Sequence, residues 1–203
     1  PAAALRLARR FPNARIQAVE AHTTELVGFL EDGTIEFAFC VANPAVSTNP
    51  TIEFTETYTE QYSVMARVGH PLFRKRRATD RELAACSWIV YDMQRTRGFL
   101  AQHFESRGFP APNVPISTLS LPLMVTLIIK SDLVALMPED FVWPEVAASR
   151  LRRVAGHSMN VTGAAGIVTR RGAVHGTIAQ ELMKDLKAVC ADARRAAGRV
   201  RAG

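Results

Sequence analysis

The chain has 203 residues, 48% of them hydrophobic and 22% charged, which is the balance of a soluble globular protein of one domain or two lobes. No apolar run reaches the roughly 20 residues of a membrane helix, and arginines at positions 6, 9 and 10 exclude a secretory pattern. The net charge is +6, and the positive charge sits mainly in the first helix, in residues 74–77 and in the tail, without interleaved aromatics. We therefore expect a solvated surface or contacts with other chains rather than a nucleic-acid platform.

The first forty residues alternate between helical and extended patterns. Apolar residues at helical spacing end at Pro12, and residues 16–20 alternate in the manner of a strand. Thr23 is placed to cap a second helix, which Gly33 ends. Residues 35–41 are almost continuously apolar, as in parallel strands that are buried on both faces. Together these elements predict an α/β fold.

Two extended segments, residues 52–58 and 62–68, lead into Gly69-His70-Pro71 and the basic run at residues 74–77. Thr79 and Glu82 have the spacing of a capping box, which predicts a short helix. The second half repeats the alternation. Strands are predicted at 87–91, around Ile116, at 133–137, 151–154 and 165–170, and helices before Gly108, after Ser120 and from about residue 178.

Residues 65–72 and 165–172 are similar apolar runs that each end in polar or basic residues. Our hypothesis is that they are antiparallel crossing strands. They would divide the chain into a discontinuous lobe and an inserted lobe, with a ligand cleft between them.

Catalytic and metal motifs are scarce. The sequence has no GxSxG, P-loop, GxGxxG or HExxH pattern, and its five histidines are dispersed. We therefore expect no enzyme activity, no cofactor, no catalytic residue and no metal site. The three cysteines have no zinc or CxxC spacing, which favours free thiols in a reducing compartment over a redox pair.

Polar residues do follow the predicted strands, where open α/β sheets bind ligands. Hydroxyls, backbone amides and a guanidinium at these places suit a small anion such as a carboxylate. Thr23 and Ser120 are equally explained as helix caps, and Arg95 as a surface charge. The candidate ligand-binding residues are Thr23, Cys40, Val41, Gln94, Arg95, Thr96, Ser117 and Ser120.

Several short motifs follow one another in a specific order and spacing, at residues 11–16, 30–38, 69–72, 83–84, 87–89 and 133–138. Together they resemble the effector-binding domain of LysR-type transcriptional regulators. The last of them, LVALMP, is similar to the family's "GLGIALLP" run. The resemblance extends from Pro1 to about Val189.

The resemblance implies a type II periplasmic-binding-protein-like fold of two Rossmann-like subdomains joined by two crossing strands. Residues 1–67 with 163–203 would form regulatory subdomain I, and residues 68–162 subdomain II. It also implies a cytoplasmic bacterial regulator, a homodimer or homotetramer without membrane contact, whose small-molecule effector controls transcription. The sequence leaves open a periplasmic-type solute-binding protein for a small organic anion.

Two departures from the family matter. Its winged helix-turn-helix domain has no counterpart in these residues, so we expect DNA contact only through that missing N-terminal domain. The first strand of the sheet also has no counterpart, because Pro1 matches the start of the helix that follows it. We expect the effector site to lack the hydroxyl that this strand usually contributes.

Overall fold

The computed structural model describes residues 2–91 and 93–201, with all of their side chains except those of 93–95 and 193–201. The chain packs as two compact units, Pro1–Glu60 with Gly163–Gly203 and Gln61–Thr162. Both boundaries fall inside strands. The elements of the first unit, including both shared strands, are α1 (Ala2–Arg10), α2 (Thr23–Glu31), β1 (Ala38–Val41), α3 (Pro44–Ser47), β2 (Ile52–Arg67), β7 (Val161–Arg170) and α8 (Thr177–Arg201).

The second unit has a 3-10 helix at Pro71–Arg74 and alternating strands and helices. They are α4 (Asp80–Ala84), β3 (Ser87–Tyr91), α5 (Met93–Glu105), β4 (Asn113–Thr118), α6 (Leu121–Ile129), β5 (Ala135–Pro138), α7 (Glu139–Ala147) and β6 (Leu151–Arg153). That the two units are regulatory subdomains I and II, with the boundaries given above, stays a prediction.

In the first unit, helix α2 covers strand β1. Val27 and Leu30 of α2 share a buried cluster with Ala38 of β1 and Val168 of β7. Strand β1 begins only at Ala38, and it pairs antiparallel with β7. The apolar run at residues 35–41 predicted a parallel strand, and that prediction was wrong because composition reports burial rather than the direction of the partner strand.

The predicted strand at residues 16–20 is also absent, although the segment lies within the described residues. Ile16 is 40% exposed and Val19 43% exposed. The alternation of apolar and polar residues is present in the sequence, but the segment has no partner strand in the part of the chain that the structure describes. Without a paired backbone, alternation alone does not make a strand.

Helices α1 and α8 pack together in the first unit, and ion pairs join them. Arg10 of α1 contacts Glu181 at 3.0 Å and Asp185 at 2.8 Å, both on α8. The Asp185 carboxylate is mostly buried, so Arg10 compensates a charge that would otherwise be costly to bury.

The second unit is organised around β3, which is buried on both faces. Trp88 packs on one side with Leu100 and Phe104 of α5, whereas Ile89 packs on the other with Met124 and Ile128 of α6. β3 and β4 are parallel, with Val90 opposite Ser117 and Tyr91 opposite Thr118. This is the two-sided burial that parallel strands require.

The two extended segments predicted at residues 52–58 and 62–68 form one strand of 16 residues, β2. In the larger sheet the order is β1-β7-β2-β5, and β6 also pairs with β2. Within the second unit, Met65 of β2 lies opposite both Ala135 of β5 and Arg153 of β6, so β2 has partners on two sides.

Candidate functional site

The second unit brings three of the predicted site residues to one edge of its sheet. Because β3 and β4 are parallel and in register, Tyr91 and Thr118 end side by side. Thr96, in the first turns of α5, donates its hydroxyl to the Tyr91 carbonyl oxygen. Ser117 lies on β4 with an exposed side chain. Thr96, Ser117 and Ser120 therefore belong to one strand-end region, and their role in binding an effector stays a prediction.

Ser120 is the N-cap of α6, the structural role that the sequence also allowed. Its hydroxyl accepts from the Leu123 amide at 3.3 Å, and its own amide donates to the Thr118 hydroxyl at 3.0 Å. Pro122 has no N–H to offer. In the first turn of α6, this leaves the Leu121 amide as the donor without a partner in the described structure, and a ligand oxygen can accept from it.

Helix α5, which begins next to the end of β3, carries two arginines near its start. Gln94 and Arg95 lie in its first turn, but their side chains are outside the described residues. Arg97, one turn further, is exposed and makes no ion pair within the described chain. A guanidinium in that position is available to an anionic ligand.

Thr23 of the first unit is not a helix cap. His22 is the N-cap of α2, since its Nδ1 accepts from the Thr24 amide at 3.4 Å. Glu25 completes the cap by accepting from the His22 amide at 3.0 Å. The Thr23 hydroxyl has no partner in the part of the chain described, so it remains available for another contact.

Cys40 and Val41 end strand β1, and both are half-buried. They lie opposite Gly166 and Ala165 of β7. Burial raises the pKa of the Cys40 thiol, so this side chain is a protonated, weakly polar group at neutral pH. Any polar contact from this strand end comes mainly from the backbone.

The strand-end region also contains two exposed leucines that were not predicted from the sequence. Leu119 is 54% exposed and Leu123 is 47% exposed. The sequence around Ser120 contains more leucines than one face of a short helix can bury. This excess could have predicted that some of them are exposed. They give the region an apolar surface beside its hydroxyls.

The remaining thiols and histidines do not form a reactive centre among the described residues. Burial, with added repulsion from the Glu82 and Asp132 carboxylates, raises the pKa of Cys86 to about 11. No three His, Cys, Asp or Glu residues of the described chain are grouped so as to hold a metal ion. Among the residues that the structure describes, no helix is long and apolar enough to span a membrane.

Two open depressions lie away from these residues. One, in the second unit, has a volume of about 350 Å³ and is lined by residues that include His70, Arg74 and Cys86. The other, in the first unit, has about 380 Å³ and is lined by residues such as Phe11 and Ile178. Neither contains a predicted site residue.

The chain is similar to known proteins over nearly its whole length. A family model described as the LysR substrate binding domain matches residues 1–191. The HTH-type transcriptional regulator GalR of Pseudomonas putida (strain KT2440) is 24% identical over 190 residues, which is 93% of this chain and 47% of GalR. The chain thus spans about half the length of this curated relative.

Two solved structures are similar in fold. The effector-binding domain of QuiR in complex with shikimate has a TM-score of 0.72 and 14% identity, covering 94% of this chain and 89% of that one. The regulatory domain of Synechocystis PCC6803 CcmR in complex with 2-PG has a TM-score of 0.77 and 14% identity, covering 93% and 89%. At these identities the similarity establishes the fold alone.

Proposed function

The chain belongs to the LysR substrate-binding domain family, and on that premise we propose that it senses a small anionic molecule for a bacterial transcription regulator. The family and the type II periplasmic-binding-protein-like fold agree with the resemblance seen in the sequence. Members of the family are transcription regulators rather than enzymes. This favours the regulator over the periplasmic solute-binding protein that the sequence left open.

The observation that best supports the proposal is the register of β3 and β4. It aligns Tyr91 with Thr118 and so gathers Thr96, Ser117 and Ser120 at one sheet edge. Ligands of open α/β sheets bind outside the carboxyl ends of the strands. We assign these residues, with Thr23, Cys40, Val41, Gln94 and Arg95, to the effector site.

The polar groups of the second unit favour a compact anion with an apolar part. Arg97 offers an exposed cation that has no ion pair among the described residues, and the Leu121 amide offers a directed donor. Leu119 and Leu123 offer apolar contact. The ligands named for QuiR and CcmR, shikimate and 2-PG, give a starting panel.

In the full-length protein, which we place in the cytoplasm, effector binding would change the relative stability of two arrangements of a homodimer or homotetramer. DNA would be bound through a helix-turn-helix domain outside these residues. Allosteric coupling of this kind is typically on the order of 1–3 kcal/mol. Regulatory subdomains I (1–67 with 163–203) and II (68–162) would contribute to the response together.

Isothermal titration against small carboxylates and their neutral amides tests the proposal. We expect at least one carboxylate to bind and its amide to bind at least tenfold more weakly. The triple variant Thr23→Val, Thr96→Val, Ser117→Ala should lose this binding. A control that changes the exposed Thr34, Thr59 and Ser106 in the same way should keep it. Unchanged binding by the first variant would disprove the site.

A further inference from the structure

The net positive charge of the chain lies mostly in one of the two units, because that unit has fewer acidic residues. Residues 61–162 contain 13 Lys and Arg against 8 Asp and Glu, whereas the rest of the chain contains 12 against 11. The second unit therefore accounts for +5 of the net charge of +6. Within it, residues 74–77 are four consecutive basic residues, and all four are exposed.

Hydrogen bonds fix the backbone on both sides of this basic segment. At its start the Phe73 amide donates to the His70 carbonyl at 2.9 Å, and at its end the Ala78 amide donates to the Ala155 carbonyl at 2.7 Å. Gly156 packs so closely that a Cβ there would lie 2.5 Å from the Arg77 Cβ. The basic side chains thus project from an ordered segment rather than a loose loop.

The acidic residues nearby already have partners. Glu82 pairs with Lys75 at 2.7 Å. Asp80 accepts from the Ser158 amide at 2.9 Å, and Arg107 lies 3.8 Å away. Within the described residues, no carboxylate therefore neutralises Arg74, Arg76 or Arg77.

A fourth arginine extends the surface from the neighbouring strand. Arg152 of β6 places its guanidinium carbon 4.6 Å from the centre of the Phe73 ring. This cation–π contact orients the arginine beside the basic segment and covers the aromatic face. Arg152 also makes no ion pair among the residues described, so its charge adds to that of the segment.

We propose that Arg74, Arg76, Arg77 and Arg152 form an arginine surface that binds the phosphate backbone of duplex DNA without reading its sequence. This departs from the expectation drawn from the sequence that DNA is contacted only through a separate N-terminal domain. Guanidinium groups bind phosphates in a bidentate manner, and their planar donors lose less entropy per hydrogen bond than a lysine ammonium does. In a regulator whose other part holds DNA, as the similarity to an HTH-type protein indicates, the local DNA concentration is high.

Duplex DNA fits this surface better than a protein or a single strand. Protein interfaces have an apolar core, yet none of the strongly exposed large hydrophobic residues lies between positions 71 and 78. Single strands need exposed aromatic rings on which bases stack, and the Phe73 ring is covered by Arg152. The exposed groups of this surface are positively charged, and positive charge is what binds the phosphates of a duplex backbone.

Fluorescence anisotropy with a mixed-sequence duplex of about two helical turns, in salt from roughly 50 to 200 mM, tests the inference. The variant Arg74→Gln, Arg76→Gln, Arg77→Gln should bind at least about tenfold more weakly. The plot of log affinity against log salt should become shallower for this variant. The magnitude of its slope should decrease by about 2–3, close to one per lost phosphate contact. Arg152→Gln alone should reduce the slope by about one.

The matched control is Arg9→Gln, Arg15→Gln, Arg170→Gln. These arginines of the first unit are also exposed and without ion pairs among the described residues, and the same net charge is removed. Equal losses in both variants would show a general charge effect and overturn the proposal. Tighter binding to polyglutamate than to the duplex would also overturn it, in favour of an acidic protein partner.

Circular dichroism confirms that each variant is folded, and if the triple variant is not, Arg76→Gln gives the same test with a slope change of about one. The result is separable from the effector proposal, because none of these arginines belongs to the candidate effector site. Loss of DNA binding with effector binding intact would support the arginine surface alone.

Discussion

Gly166 faces the backbone of Thr55 so closely that a Cβ on the glycine would lie 2.1 Å from the Thr55 carbonyl oxygen. The two residues lie on β7 and β2, neighbouring strands of the larger sheet. No side chain fits between them without moving one strand. Glycine at position 166 is therefore a requirement of strand packing in the first unit.

We expect Gly166→Ala to lower the free energy of unfolding by about 2–3 kcal/mol, the usual cost of forcing extra atoms into a packed interior. Gly28→Ala is the control, because nothing lies within 4 Å of a Cβ there and the position is inside helix α2. That change should raise stability by about 0.5–1 kcal/mol. Urea unfolding of both variants measures the difference, and a neutral Gly166→Ala would contradict the packing.

Substitution should lower stability at one of the two tryptophans and have little effect at the other. Trp88 is fully buried, donates to the Leu83 carbonyl at 3.0 Å and packs edge-on against Phe104. Trp88→Phe should cost about 2–3 kcal/mol through the cavity and the lost hydrogen bond. Trp143 is 60% exposed, so Trp143→Phe should stay within about 0.5 kcal/mol of the parent. Urea unfolding followed by circular dichroism gives both values.

The capping box of α4 should have a measurable effect on stability. The Thr79 hydroxyl accepts from the Glu82 amide at 3.3 Å, and the Glu82 carboxylate accepts from the Thr79 amide at 2.8 Å. Thr79→Ala should lower the free energy of unfolding by about 1 kcal/mol. Thr79→Ser keeps the capping hydroxyl and should retain most of the stability of the parent. Equal thermal midpoints for the two variants would contradict the cap.

Stability should fall as the pH drops below about 6.5, partly because of two histidines. Burial is the main cause that lowers the pKa of His157, and burial also lowers the pKa of His103. Since their pKa values in the folded state lie below the unfolded value of about 6.5, the unfolded chain binds more protons in this range. Their contribution is complete above pH 6.5 and decreases on acidification.

The His157→Gln variant tests this pH dependence. In the parent, Nε2 of His157 lies 3.0 Å from the Val154 carbonyl oxygen, and Nδ1 accepts from the Met159 amide at 3.1 Å. The neutral glutamine should lessen the loss of stability between about pH 7 and 5, measured by urea unfolding at each pH. An unchanged slope in His157→Gln would refute the assignment.

Local signals in the sequence predicted local structure well. Thr79 and Ser120 are caps as expected, because a cap depends on residues three positions away. The antiparallel pairing of β1 with β7 was not predictable, since the partner lies more than a hundred residues along the chain. Residues 16–20 show the same limit: their alternation is compatible with a strand, but only a paired neighbour would make one.

The candidate site was predictable to the same extent. Thr96, Ser117 and Ser120 come together because strand ends follow from the α/β pattern, and the register of β3 with β4 aligns them. Thr23 was assigned to the wrong helical position, because His22 caps α2 through an imidazole nitrogen, an uncommon capping group. The exposed Leu119 and Leu123 were missed because hydrophobic residues are assumed to be buried until the packing is known.

Strand β2 passes without interruption from one unit into the other, over 16 residues. Deleting or inserting one residue within it would turn every following side chain to the opposite face of the sheet. Every partner of β2 beyond the change would then lose its register, and a change in the first part of the strand would reach partners in both units. We expect natural variation in chain length to be excluded from residues 52–67 and tolerated in exposed turns such as residues 171–176, so that gaps among homologues map the connection between the units.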